Sequence, residues 1–214
     1  MNNSVDREPR VKVLDLHLGN TASVVNMLRK CGASVEVATQ PKMLAGADKL
    51  VLSGVGAFDA GVRALREDGW VGPLTERVAA GRTQVLGICL GMQLMCQSSE
   101  EGRLSGLGWI EAEVKRLELP VSSNLKIPHM GWNTVEIAKA NPLLRAEEGE
   151  QRFYFVHSYH AVCGHAEDVL ATAHHGSTFT AAFSHGSIYG VQFHPEKSHR
   201  FGMALMKRFV ELPC

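Results

Sequence analysis

The sequence predicts an α/β fold: one domain built on an open mixed sheet, with a parallel core, antiparallel additions and flanking helices. Three observations predict it. Short β-rich runs alternate with helical stretches through the first half of the chain, which calls for crossover connections and parallel pairing. Val85-Leu86-Gly87-Ile88 is almost wholly apolar, as expected of a strand buried on both faces. From Trp109 onward, strand-like runs follow one another with short connections, which suggests antiparallel strands. A length of 214 residues suits a single compact domain, expected over residues 10–214 behind a polar tail at 1–9.

Taken in order, Val11–Leu16 reads as the first strand, ending in the turn His17-Leu18-Gly19-Asn20. Val24, Met27, Leu28 and Cys31 recur at i, i+3, i+4 and i+7, one apolar helix face that Gly32 can close. Val35 and Val37 alternate with polar neighbours in a second strand, and Leu50-Val51-Leu52 forms a third that breaks at Gly54-Val55-Gly56. Helices are expected at Phe58–Arg66 and Thr75–Ala80, followed by the buried strand at Val85–Ile88. Strand-like runs come next at Trp109–Leu119, Phe153–His157, Val169–His174, Phe179–Phe183 and Ile188–Phe193. Phe201, Leu205 and Phe209 share one face of a closing helix, with Ser198 as its N-cap.

Charge and composition exclude several function classes. Lys+Arg 22 balances Asp+Glu 22, so nothing draws the chain toward phosphate backbones or anionic lipid, and neither nucleic acid nor membrane is an expected partner. The longest apolar-looking run, Val85–Cys96, is interrupted by Gln93 and is too short for a membrane span. Residues 1–9 lack the apolar stretch of a secretion signal. Five scattered cysteines without a CxxC pair argue for a reducing, cytoplasmic setting and against a disulfide framework or zinc ribbon.

In open α/β sheets, chemistry gathers beyond the carboxyl ends of the parallel strands. There Gly87-Ile88-Cys89-Leu90-Gly91 has the pattern of a nucleophile elbow, with cysteine at the apex of a strand-to-helix turn. The glycines allow close approach to neighbouring strands, and the following helix favours a thiolate and offers the Leu90 N–H to a developing oxyanion. A thiol near its reference pKa of about 8.5 needs a base. His194 and Glu196, two residues apart around Pro195 at a strand end, can supply imidazole and orienting carboxylate. The N–H at Val55, in the Gly54–Gly56 loop, could complete the oxyanion hole. Histidine spacing gives no metal signature: His157 and His160 are i, i+3 and His174-His175 adjacent, without H-E-x-x-H. No metal or cofactor is expected.

With these residues in place, Gly87–Gln93 and Gly190–Glu196 together resemble the class I glutamine amidotransferases. Pro128-His129-Met130-Gly131-Trp132-Asn133, Phe153–Tyr159 and Lys197-Ser198 are further similar to the glutaminase subunits of imidazole glycerol phosphate synthases of histidine biosynthesis. The resemblance runs from about Val11 to Phe209. It implies that Cys89, His194 and Glu196 form a catalytic triad releasing ammonia from L-glutamine, and that Gly54, Gly56, Gln93, Ser158 and Tyr159 border the glutamine pocket. It also implies that Asn20, Trp132 and Tyr154 lie toward a (β/α)8-barrel cyclase subunit, forming a heterodimer that uses the ammonia, and that glutaminase activity is low until that partner is bound. The chain departs from the usual pattern at Ser53, where the family has Pro, and at Leu16-His17, where it has Tyr-Gly. Other readings of the same residues are an amidotransferase subunit for another acceptor, a stand-alone γ-glutamyl cysteine hydrolase and a non-catalytic binding module.

Overall fold

The computed structural model describes residues 8–19 and 21–213, so most of the expected tail, Asn20 and Cys214 lie outside the described residues. The first half gives β1 (Arg10–Leu14), α1 (Thr21–Lys30), β2 (Ser34–Ala38), β3 (Lys49–Gly54), α2 (Phe58–Glu67), α3 (Val71–Ala79), β4 (Gln84–Cys89) and the short α4 (Leu90–Leu94). The second half gives β5 (Ser98–Ser99), β6 (Ala112–Arg116), β7 (His129–Ile137), β8 (Gln151–His157), β9 (Tyr159–Cys163), β10 (Val169–His175), β11 (Ser177–His185), β12 (Ile188–Val191) and α5 (His199–Glu211).

Among the described residues, nine strands form one sheet in the order β2-β1-β3-β4-β12-β11-β10-β7-β8, and β5, β6 and β9 form a separate three-stranded sheet. The first five strands of the large sheet pair in parallel and the remainder antiparallel. Two details differ from the sequence expectation. The run beginning at Ile188 joins the parallel core, pairing with β4 from Ile188↔Val85 to Val191↔Ile88, and only its other edge is antiparallel. Part of the second half also leaves the main sheet, because β9 turns away after His157 to pair with β6.

Strand alternation explains the two layers of core. Val11, Val13, Val51, Leu86 and Ile88 face one side, where Val24 and Leu28 of α1 and Leu205 and Phe209 of α5 cover them. Leu50, Leu52 and Val85 face the other side, covered by Phe58 and Leu65 of α2, Leu74 of α3 and Met92 of α4. Ser198 occupies the N-cap position of α5 but does not cap it. Its hydroxyl instead donates to His194 O (2.6 Å) and accepts from Tyr154 N–H (3.0 Å). Among the described residues, no helix is long and apolar enough to cross a membrane.

Candidate active site

Cys89 ends β4 and α4 begins at the next residue, with Cys89 itself at φ 53° and ψ −108°. A non-glycine residue at positive φ is strained and persists only where its surroundings fix it. The surroundings here are close-packed backbone. A Cβ added at Gly91 would lie 1.9 Å from Leu52 O, and one at Gly87 would lie 2.7 Å from Gly91 O and Met92 Cα. Only glycine lets the elbow press this tightly against β3 and the start of α4. The turn holds Cys89 at the end of the parallel strands, 7% exposed.

His194 follows β12, and its side chain meets Glu196 through a 3₁₀ turn at Pro195–Lys197 rather than by strand alternation. The turn folds the carboxylate back, so that Nδ1 and Glu196 Oε1 are 2.7 Å apart, with both side chains more than nine-tenths buried. A carboxylate only accepts, so Nδ1 carries the proton and Nε2 faces the thiol. That Nε2 is buried and makes no hydrogen bond of ordinary geometry, yet the Cys89 sulfur is near enough to act on the ring. Burial pushes the His194 pKa down, but Cys89 and Glu196 together outweigh it and raise it to about 9. That shift favours the charged ring, which suits it to lie beside a thiolate. From the other side, Gln192 Nε2–H points at Cys89 Sγ (3.7 Å).

Cys89 opens into a cavity of about 510 Å³, lined also by Val55, Gly56, Leu90, Gln93, Glu101, Pro128, His157, Ser158 and Tyr159. That volume suits a small metabolite. Gln93 Nε2–H donates to Tyr159 O (3.0 Å) and to Gln192 Oε1 (3.0 Å), tying α4 to β9 and to the segment that follows β12. Gly54 lies outside this cavity. It borders a smaller one of about 200 Å³ together with Ser53, His194, Glu196 and Lys197.

The two expected oxyanion donors differ. Leu90 is the first residue of α4, so its N–H has no acceptor within the helix. Val55 N–H instead donates to Leu18 O (3.2 Å), and in this conformation it is spent on the loop after β1. Of the residues expected toward a partner, Trp132 and Tyr154 are directly cross-strand on β7 and β8, with rings 6.3 Å apart and nearly perpendicular. Trp132 is 40% exposed and stacks on His199, while Lys197 lies over the Tyr154 ring.

Sequence reasoning passed over four residues. Glu101 brings a carboxylate to the cavity and accepts from Phe58 N–H (2.8 Å), a contact across 43 positions that no local motif announces. Gln192 lies inside a quoted motif but reads as an ordinary strand residue. His129 and His157 are both buried, and alternation along their strands was the available signal. Among the described residues, no three His, Cys, Asp or Glu side chains gather as a metal site.

Comparison with known proteins identifies the family. Residues 12–212 match the family model for glutamine amidotransferase class-I. The chain is 46% identical over 202 residues to imidazole glycerol phosphate synthase subunit HisH 2 of Pseudomonas aeruginosa, covering 94% of this chain and 99% of that one. It is 45% identical over 201 residues to the HisH 2 subunit of Methanococcus maripaludis, covering 94% and 98%. Among solved structures, PurLQS of Thermotoga maritima shares the fold with a TM-score of 0.71 at 18% identity, over 95% of this chain and 96% of that one. Identity at the level of the two HisH relatives, running nearly end to end in both chains, shows that the chain belongs to the class I glutamine amidotransferases, among the HisH subunits of imidazole glycerol phosphate synthase.

Proposed function

We propose that this glutamine amidotransferase hydrolyses L-glutamine with Cys89 as nucleophile, His194 as acid and base, and Glu196 as the group that orients and charges His194. The carrying observation is the buried thiol on its elbow beside an imidazole whose Nδ1 is held 2.7 Å from a carboxylate, opening into a cavity with room for an amino acid. Glu101, the carboxylate lining that cavity, suits the α-ammonium of the substrate. Gln93, Ser158 and Tyr159 line the same space.

In the first step the Cys89 thiolate attacks the carboxamide carbon, and the C–N bond breaks as the His194 imidazolium gives its proton to the departing nitrogen. Ammonia leaves and a γ-glutamyl thioester remains. In the second step neutral His194 takes a proton from water, the hydroxide equivalent attacks the thioester, and the C–S bond breaks. Glutamate leaves and the thiolate–imidazolium pair returns. Leu90 N–H holds the oxyanion in both steps, and Val55 N–H joins it once turned away from Leu18 O.

Ammonia in neutral water is mostly ammonium and no longer nucleophilic, so its use calls for a dry path to an acceptor. The relatives are named as synthase subunits, which supports a second subunit here, a (β/α)8-barrel cyclase. That subunit would convert the ammonia and a phosphoribulosyl-formimino aminoimidazole carboxamide ribotide into imidazole glycerol phosphate and aminoimidazole carboxamide ribotide. The engaged Val55 N–H supports low activity in the isolated chain. The test is Cys89→Ala, measured as glutamate release with the cyclase subunit present. Release is expected to fall to background while glutamine still binds, and turnover retained without the thiol overturns the assignment.

A further inference from the structure

Beyond the triad, a run of polar contacts reaches Cys89 from β7, and simple valence rules fix every proton in it. His157 Nδ1 lies 2.9 Å from Tyr159 O. A carbonyl can only accept, so Nδ1 carries the hydrogen and the neutral ring leaves a lone pair on Nε2. His129 Nδ1 lies 3.0 Å from that Nε2 and must donate, which leaves His129 Nε2 an acceptor. The group facing it is the Asn133 side-chain amide, with Nδ2 at 3.3 Å. Asn133 is independently oriented, because its Nδ2 also donates to His174 O (2.8 Å) and its Oδ1 accepts from Thr134 N–H (2.8 Å). Tyr159 O then takes two donors, His157 Nδ1–H and Gln93 Nε2–H, and Gln93 passes its second hydrogen to Gln192, which donates to Cys89 Sγ.

We propose that His129 and His157 are positioning residues: a pair of neutral imidazoles, each locked in its Nδ1–H tautomer, that fixes the Tyr159 carbonyl and through it the Gln93–Gln192 amide pair that addresses the nucleophile. Both rings are buried, and stacking of His129 on Phe155 and His175 leaves little room for ring rotation. Burial pushes the His129 pKa down to about 4 and that of His157 to about 3, so neither charges near neutrality. This inference rests on the glutaminase reading above, since the groups it positions are those of that site.

The test compares His129→Leu, which removes the donor to His157, with His129→Asn, whose amide nitrogen can take the place of Nδ1. Glutamine hydrolysis is measured with the cyclase subunit present, together with nitrogen-15 imidazole spectra of the chain. His129→Leu is expected to lower kcat at least tenfold and to move the His157 proton toward Nε2. His129→Asn is expected to recover kcat to within about threefold and to restore the Nδ1–H form. The wild-type spectrum decides the point even if the leucine variant fails to fold, because a His157 protonated on Nε2, or titrating between pH 5.5 and 8, overturns the relay. Wild-type turnover with unchanged kcat and KM in His129→Leu also overturns it and leaves the glutaminase reading standing. Wild-type protein that releases no ammonia from glutamine overturns that reading instead, whatever the tautomers.

Discussion

The Val55 N–H donates to the Leu18 carbonyl at 3.2 Å, so one of the two amides beside the Cys89 elbow is turned toward the loop after β1. The neighbouring glycines, Gly54 and Gly56 (the latter at φ +115°), let this peptide rotate without side-chain collision. On the proposed glutaminase mechanism, a site with one donor turned away is poorly equipped for a tetrahedral oxyanion, and the Gly54–Val55 peptide is then its point of control.

Removing that amide should leave binding alone and damage the chemical step. Val55→Pro deletes the N–H, and loss of one oxyanion donor costs about 10²–10³ in rate. We expect partner-stimulated kcat for glutamine to fall by that factor with KM within about threefold. Loss of the Leu18 bond itself should cost only about 1 kcal/mol of stability. Steady-state kinetics alongside urea unfolding check both parts, and an unchanged kcat removes Val55 from the mechanism.

The raised pKa of His194 sets where the ring loses its charge. Burial lowers it, but Cys89 and Glu196 outweigh burial and carry it from the ordinary 6.5 to about 9. A charged ring beside a thiolate holds the same single proton that the unfolded chain keeps on the thiol, so between about pH 6.5 and 8.5 this pair adds no slope to stability, and what moves is the titration of the ring. Nitrogen-15 imidazole spectra should show His194 still charged at pH 7.5 and losing its charge as pH rises through about 9. In Glu196→Gln, where one of the two raising partners is gone, the charge should be lost at lower pH. A wild-type ring already neutral at pH 7.5 contradicts the imidazolium assignment.

Elbow packing gives a sharper contrast between two glycines. Gly91→Ala would put a methyl 1.9 Å from Leu52 O, backbone that can yield only by shifting β3. We expect a loss of at least about 3 kcal/mol, or no folded protein. Gly72→Ala, in α3 with nothing within 4 Å of the new methyl, should be neutral or stabilising by up to about 1 kcal/mol. Urea denaturation of the two variants measures the difference.

The parts of this molecule written in local pattern could be read without coordinates. The strands at Val11, Leu50 and Val85 are apolar runs closed by turns, and the spacing of Val24, Leu28 and Cys31 defines a helix face. The glycines at 87 and 91 announce a tight bend, and the structure brings Cys89, His194 and Glu196 together there. What escaped depends on partners far along the chain. Strand β7 turns Met130 and Trp132 outward and His129 inward, so its alternation runs against residue type, and pairing with both β8 and β10 decides which face is covered. The orientation of Val55 N–H is set by a carbonyl 37 positions away. Glu101 reaches the cavity only because its loop is pinned to the start of α2, where Asp59 also accepts from the Arg103 and Leu104 N–H groups. Ser198 has the residue type and position of a cap, yet its hydroxyl is claimed by a strand that the sequence places more than forty residues earlier.

That diverted hydroxyl has a mechanical consequence. Tyr154 O accepts from His194 N–H (2.9 Å), while Tyr154 N–H reaches His194 O through Ser198 Oγ. Two struts thus join the main chain of the half-exposed tyrosine to that of the imidazole-bearing residue, with no slack segment between them. A molecule that leans on Tyr154 from outside grips His194 by its own backbone, and a nudge to the sheet's edge is passed to the imidazole.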